Sequence, residues 1–148
     1  MVRAGGNVAD SQTSIGYDAR TGDVWLDAPA GQDLTSINIE SAAGVFTGDA
    51  AQNLGGSFDN DANDNIFKAT FAGSFGSLSF GRVAQPGLIR DFVLNDLTIV
   101  GTLAGGGQLG DVDLNYVPVP EPSAAILLAL GLVIGLGCCR RNKCLGGE

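Results

Sequence analysis

The chain contains no histidine, and this absence narrows its chemistry more than any residue it does contain. Histidine is the commonest general base and the commonest metal ligand in proteins. Without it, neither a Ser-His-Asp nor a Cys-His catalytic site can form. No other residues in the sequence have the pattern of a catalytic site. We therefore expect that the protein is not an enzyme.

Cysteine is scarce, and its three copies stand near the C-terminus at Cys138, Cys139 and Cys144. The residues before them contain none, so no disulfide framework holds the body of the protein and its fold must depend on packing. The spacing of the three cysteines differs from that of a structural zinc site. No role is assigned to Cys144.

Basic residues are also few in the body of the chain. Residues 1–122 contain 15 acidic and 5 basic residues, whereas residues 123–148 contain three basic and one acidic. Because the phosphate backbone of nucleic acids attracts clusters of Lys and Arg, an acidic body indicates no nucleic-acid partner. The same charge argues against a body that lies flat on an anionic membrane.

The body consists of short β-type patterns separated by turns rich in Gly, Asp, Asn and Ser. The first pattern predicts a hairpin that turns at Thr21-Gly22. The strongest strand signal is residues 90–103, where Val93, Leu97 and Ile99 would share one face. The patterned segments are 15–28, 34–41, 66–71, 76–83, 90–103 and 110–117.

About seven to nine short strands without a sustained helical period predict an all-β fold. The regular alternation of apolar and polar residues favours antiparallel sheets with one solvated face. We therefore expect an antiparallel, jelly-roll-like β-sandwich over residues 15–117, preceded by a disordered N-terminal segment at residues 1–14.

Residues 123–139, "SAAILLALGLVIGLGCC", form an uncharged run. As a helix, 17 residues would span roughly 25 Å, near the lower limit for crossing a bilayer. A helix that is apolar on all sides has no face for water, so we predict a single C-terminal transmembrane helix. Arg140 and Arg141 follow it, and the positive-inside rule makes residues 140–148 a basic cytoplasmic tail.

The residues before this run carry a family resemblance. Val119–Ser123 reads Val-Pro-Glu-Pro-Ser, and its order with the apolar run and the two arginines resembles the bacterial PEP-CTERM sorting signal. The resemblance implies that exosortase, a membrane processing enzyme, is a partner. In that case Pro120, Glu121 and Pro122 would be the recognition motif, within a linker at residues 118–122. Arg140 and Arg141 would be the stop.

The resemblance also implies a location and a role. The protein would be held in the membrane by its C-terminal helix and, after processing, reach the cell surface or the extracellular polymer matrix. Its body would then have a structural or adhesive role. The two prolines around Glu121 keep the backbone extended, as a processing enzyme requires.

A second interpretation is a binding module. The segment that begins at Tyr17 is faintly similar to cohesin-like and carbohydrate-binding β-sandwich modules, with extracellular polysaccharide as the implied partner. Trp25, Tyr17 and Tyr116 would be a platform for stacking sugars, or alternatively residues of the core.

A calcium-dependent variant of this module would use the segment "FDNDANDNIF". Asp59, Asp61 and Asn63 occupy the first three ligand positions of a calcium loop, but Asp64 stands where that loop requires Gly. The segment is therefore either a weak Ca²⁺ site, with Asp59, Asp61, Asn63 and Asp64 as ligands, or an Asx-rich hairpin loop. We expect no other cofactor.

The N-terminal residues lack the 7–15-residue apolar stretch of a secretory signal peptide. We favour a start upstream of Met1, or a fragment. The alternative is a tail-anchored cytoplasmic protein, which would place Arg140 and Arg141 on the outer side against the charge rule.

Overall fold

The computed structural model describes residues 2–3, 12–48 and 51–120. Within these ranges the chain forms two β-sheets and one short helix. The elements are β1 (Val2–Arg3), β2 (Ser14–Asp18), β3 (Asp23–Asp27), β4 (Leu34–Ser41), β5 (Asn60–Ala62), β6 (Asn65–Ala69), β7 (Leu78–Arg82), α1 (Arg90–Asp96), β8 (Leu97–Leu103) and β9 (Val112–Val117). The mostly-β character of the prediction is confirmed.

The first sheet has the strand order β1-β9-β2-β3-β7. Strands β2 and β3 form the predicted hairpin, in which Asp18 pairs with Asp23 and Gly16 with Trp25. Gly22 closes its turn with a φ of 77°, a left-handed conformation that favours glycine.

The second sheet has the order β5-β6-β4-β8, and all its pairs are antiparallel. Its central strand β4 alternates as the sequence predicts, with Ile37 and Ile39 buried and Asn38 and Glu40 on the other face. The polar face of this sheet is turned towards solvent.

The antiparallel prediction is wrong for β9. This strand lies between β1 and β2 and runs parallel to both, with Leu114 beside Ile15 and Tyr116 beside Tyr17. The alternation of its residues is as expected, since Val112 and Leu114 are buried. Alternation fixes which face a side chain occupies, whereas strand direction depends on pairing partners about a hundred residues away.

Residues 90–103 were predicted as one strand, but only their second half is extended. Residues Arg90–Asp96 form α1, and β8 begins at Leu97. Val93, Asp96 and Leu97 are buried at the i, i+3 and i+4 spacing of a helix face. A short apolar run fits a strand and a helical turn equally well, so tertiary contacts decide between them.

One hydrophobic core joins the two sheets. The first sheet contributes residues such as Ile15, Tyr17 and Phe80, and the second contributes Ile37 and Ile66. Each is no more than 2% exposed. Because the strands alternate, each sheet also has an outer face on which its polar side chains lie.

Val2–Arg3 form β1 against β9, inside the segment for which disorder was expected. Residues 4–11 and the predicted span at 123–139 lie outside the described residues. In the part of the chain that is described, no helix is long and apolar enough to cross a membrane.

Candidate functional site

The segment predicted to hold the sorting motif begins directly after β9, the last strand of the fold. The carbonyl of Val117, the last residue of the strand, accepts a hydrogen bond from the Ala19 N–H at 2.9 Å. Pro118 follows and has no N–H, so it cannot continue the ladder. Pro118, Val119 and Pro120 are exposed. The chain therefore presents the first motif residue to solvent where the sheet ends.

The other predicted residues of the sorting signal, Glu121, Pro122, Arg140 and Arg141, lie outside the described residues. The same holds for Cys138, Cys139 and Cys144.

Asp59 of the predicted calcium loop is turned into the protein, with its side chain 3% exposed. One carboxylate oxygen accepts the N–H groups of Gly55 and Gly56 at 2.9 Å, and the other accepts the Ala69 N–H at 3.0 Å. The Lys68 Nζ atom lies 3.4 Å from the Asp59 Oδ2 atom. These bonds tie the loop before β5 to the end of β6.

The pKa of Asp59 reflects this environment. Burial acts to raise it, but the hydrogen bonds from Gly56, Ala69 and Gly55 and the charge of Lys68 outweigh burial, and the net pKa is lowered. The carboxylate therefore serves as an anchor for backbone N–H groups.

The other three predicted calcium ligands are dispersed around a hairpin. Asp61 lies in β5 and accepts the Ala51 N–H at 2.7 Å. Asn63 and Asp64 form the exposed turn between β5 and β6. Among the described residues, no three His, Cys, Asp or Glu side chains are placed to hold one metal ion. The segment has the form of an Asx-rich hairpin, and calcium binding stays a prediction.

The three aromatic residues suggested as a sugar platform lie on opposite faces of the first sheet. Tyr17 is 2% exposed, and its hydroxyl donates to the Gln85 carbonyl at 2.6 Å. The Tyr116 hydroxyl donates to the Leu88 carbonyl at 2.9 Å. The two tyrosines therefore pack against the core, as the alternative interpretation held. Trp25 lies on the outer face.

Trp25 covers Gly16, its partner on the neighbouring strand. A Cβ atom placed on Gly16 would lie 1.8 to 2.3 Å from three atoms of the indole ring. The ring therefore rests directly on the Gly16 backbone, a position that any larger side chain would prevent.

Polar residues surround Trp25 on the outer face of the first sheet. Asn115 pairs with Gly16 on one side, and Ser14 lies between Asp113 and Asp27 in the next row. We call this surface, comprising Ser14, Gly16, Trp25, Asp27, Asp113 and Asn115, the Trp25 face. An open groove of about 510 Å³ continues it along β7, past Ser77 and Ser79.

A second groove crosses the outer face of the second sheet. Its volume is about 340 Å³, and it is lined by Asn38, Phe67, Val100, Thr102 and Gln108, among others. Among these residues Asn38 is already bonded, since its side chain donates to Glu40 at 2.7 Å and accepts from Asn65. The groove has no charged lining residue.

Of the residues on the Trp25 face, the sequence pattern predicts a binding role for Trp25 but not for Gly16, Asp113 or Asn115. A signal for Gly16 was present, since a hairpin that turns at Thr21-Gly22 places Gly16 opposite Trp25. Glycine in a strand interior marks a close approach. The neighbouring Asp113 and Asn115 could not be found this way, because they come from the parallel strand β9.

Comparison with protein families gives a match to the C-terminal segment. The model of the PEP-CTERM protein-sorting motif matches residues 118–141. The range contains Pro120, Glu121, Pro122, Arg140 and Arg141, so the resemblance seen in the sequence is confirmed. No curated protein and no solved structure matches the chain.

Proposed function

We propose that this chain, which carries a PEP-CTERM protein-sorting motif at residues 118–141, has a structural or adhesive role at the bacterial cell surface or in the extracellular matrix. The motif implies an exported protein that is sorted by exosortase. The observation that carries the proposal is the order of motif, apolar run and arginines.

The position of the motif, directly after the last strand, supports this proposal. Strand β9 is the last element before the motif, and Pro118, Val119 and Pro120 are exposed. A membrane enzyme can bind an extended segment of this kind without unfolding the two sheets. Sorting and folding of the body are therefore compatible.

The apolar run at residues 123–139 is the membrane stop in this proposal. Its uncharged sequence suits a short span, and Arg140 and Arg141 suit the cytoplasmic side. The protein is then held in the membrane during sorting, with its acidic body outside.

Cell fractionation tests the proposal. The full-length gene is expressed in cells with and without exosortase, and the protein is followed in cytosol, membrane and surface fractions. We expect surface or matrix protein only where exosortase is present, and membrane retention where it is absent. Cytosolic protein in both strains would contradict the proposal.

A matched pair of variants separates the motif from general effects of proline. Replacing Pro120 and Pro122 by Ala alters the motif, whereas Pro86→Ala changes an exposed loop proline elsewhere. We expect the motif variant to remain in the membrane and the Pro86 variant to be sorted normally. Normal sorting of both variants would contradict the proposed role of the motif.

A further inference from the structure

We propose that the Trp25 face binds a neutral polysaccharide, with one sugar ring stacked on the indole of Trp25. This inference deepens the adhesive role and rests on that proposed function for its setting. Its test uses purified protein, so a failure of binding and a failure of sorting are distinguishable.

The orientation of the indole is the first observation. Because the ring lies on the Gly16 backbone, one of its faces is covered by the sheet and the other is directed away from it. Trp25 is half-buried, and its indole N–H has no hydrogen-bond partner among the described residues. The C–H face of a sugar ring is apolar and packs on the electron-rich face of an aromatic ring.

The polar groups next to Trp25 are the second observation. Within the described part of the chain, the side chains of Ser14, Asp113 and Asn115 form no hydrogen bond with the protein. All three are half-buried on the outer face of the first sheet. They can therefore pair with the hydroxyl groups of a sugar that lies across Gly16 and Trp25.

Charge disfavours an anionic occupant at the centre of the Trp25 face. Asp27 and Asp113 lie there in one row. The two arginines of this sheet, Arg82 opposite Asp23 and Arg3 opposite Asp113, stand on its edge strands. Carboxylates accept hydrogen bonds from sugar hydroxyls but repel the carboxylates or sulfates of an anionic polymer. The whole chain has a formal net charge of −8, which adds to this repulsion.

The shape of the surface suits a polymer. The Trp25 face is continuous with the open groove of about 510 Å³ that passes Ser77 and Ser79. An extended chain can lie along β3 and β7 without entering a closed cavity. The structural alternative is that Trp25 serves only to cover Gly16 and protect the sheet.

Fluorescence tests the proposal directly because Trp25 is the only tryptophan of the chain. The full-length protein, in a detergent without a sugar head group, is titrated with four neutral polymers: hydroxyethyl cellulose, dextran, galactomannan and xyloglucan. We expect a saturable blue shift with at least one of them, and none with the anionic polymer alginate. No shift with any neutral polymer, or an equal response to alginate, would overturn the proposal.

Variants locate the site in affinity electrophoresis with the polymer that binds. We expect Trp25→Ala to weaken retention at least about tenfold, Trp25→Phe less, and Asp113→Asn by a smaller factor. Phe67→Ala, on the outer face of the second sheet, is the matched control and should bind normally.

Circular dichroism checks that each variant is folded. If Trp25→Ala is folded and still binds, Trp25 has only the structural role and the proposal is wrong. Loss of binding in Phe67→Ala alone would equally overturn it, because the ligand would then occupy the groove of the second sheet. If Trp25→Ala does not fold, Trp25→Phe and Asp113→Asn decide, and normal binding by both contradicts the proposal.

Discussion

At the scale of single residues, the fold lowers the pKa of Asp18 by placing Arg20 beside it. The guanidinium donates from Nε to both carboxylate oxygens, at 2.9 and 3.2 Å, and from Nη2 to one of them at 2.5 Å. The Arg20 backbone N–H donates a fourth hydrogen bond at 2.9 Å. These bonds, the side-chain ones foremost, lower the pKa of Asp18 from 3.8 to about 2. The pair fixes the start of the turn between β2 and β3.

This pKa predicts how stability depends on pH. Because the carboxyl group has a lower pKa in the folded than in the unfolded protein, its contribution is present above about pH 4 and is lost as pH falls towards 2. We expect Asp18→Asn to lower the thermal midpoint at pH 6 by a few degrees and to weaken its dependence on pH between 4 and 2.

Asp64→Asn is the control, since Asp64 is exposed at the tip of the β5–β6 turn and has no side-chain hydrogen bond within the described residues. Thermal unfolding followed by circular dichroism provides the midpoints. Identical pH profiles for the Asp18 variant and the native protein would contradict this prediction.

Replacement of Asp59 should lower the free energy of unfolding at neutral pH by more than replacement of Asp18. Asp59→Ala leaves the N–H groups of Gly55, Gly56 and Ala69 without their acceptor inside the loop. We expect the free energy of unfolding to fall by about 2–3 kcal/mol, measured by urea denaturation. Asp59→Asn keeps the size and part of the acceptor capacity, so it should lose less. An unchanged midpoint for Asp59→Ala would contradict the anchoring role.

At the scale of elements, the β2–β3 turn requires glycine at position 22. Its φ of 77° strains any other residue, and an added Cβ would lie 2.0 Å from the Ala84 carbonyl oxygen. We expect Gly22→Ala to destabilise the protein by roughly 1–3 kcal/mol through backbone strain, and by a further amount through the collision with Ala84.

Gly106→Ala is the matched control for this substitution. Gly106 also has a positive φ, 89°, but nothing lies within 4 Å of an added Cβ. Gly106→Ala should therefore lower the free energy of unfolding through backbone strain alone, because its Cβ meets no neighbouring atom. Equal losses in urea denaturation for the two variants would mean that the approach of Ala84 has no energetic importance.

The secondary-structure elements differ in how well the sequence alone predicts them. The β2–β3 hairpin and strand β4 follow from alternation and turn residues, because both signals are local. The helix at Arg90–Asp96 does not, since its place depends on Asp96 accepting hydrogen bonds from the Ser41 hydroxyl and the Ala43 N–H. The parallel position of β9 is equally non-local.

The candidate sites divide in the same way. The sorting motif is linear, so the sequence is sufficient to find Pro120, Glu121 and Pro122. The Trp25 face is assembled from strands that meet only in the fold, and Asp113 and Asn115 reach it through β9. Sequence alone therefore located Trp25 but not its surroundings.

At the scale of the whole molecule, the proposed function gives the body and the C-terminal segment separate roles. The body lacks cysteine, so its two sheets are stabilised by packing and hydrogen bonds. The three cysteines all follow the proposed processing region near Pro120–Ser123. They would stay with the retained tail and have no part in the exported protein.

Intact-mass analysis of the protein from cells with and without exosortase tests the sorting claim most directly. Cells with exosortase should yield surface protein that ends near Pro120–Ser123, without the run at 123–139 and the tail at 140–148. Cells without exosortase should retain the full C-terminal segment. The same mass in both strains, with residues 124–148 still present, would contradict exosortase processing and make the segment a permanent anchor.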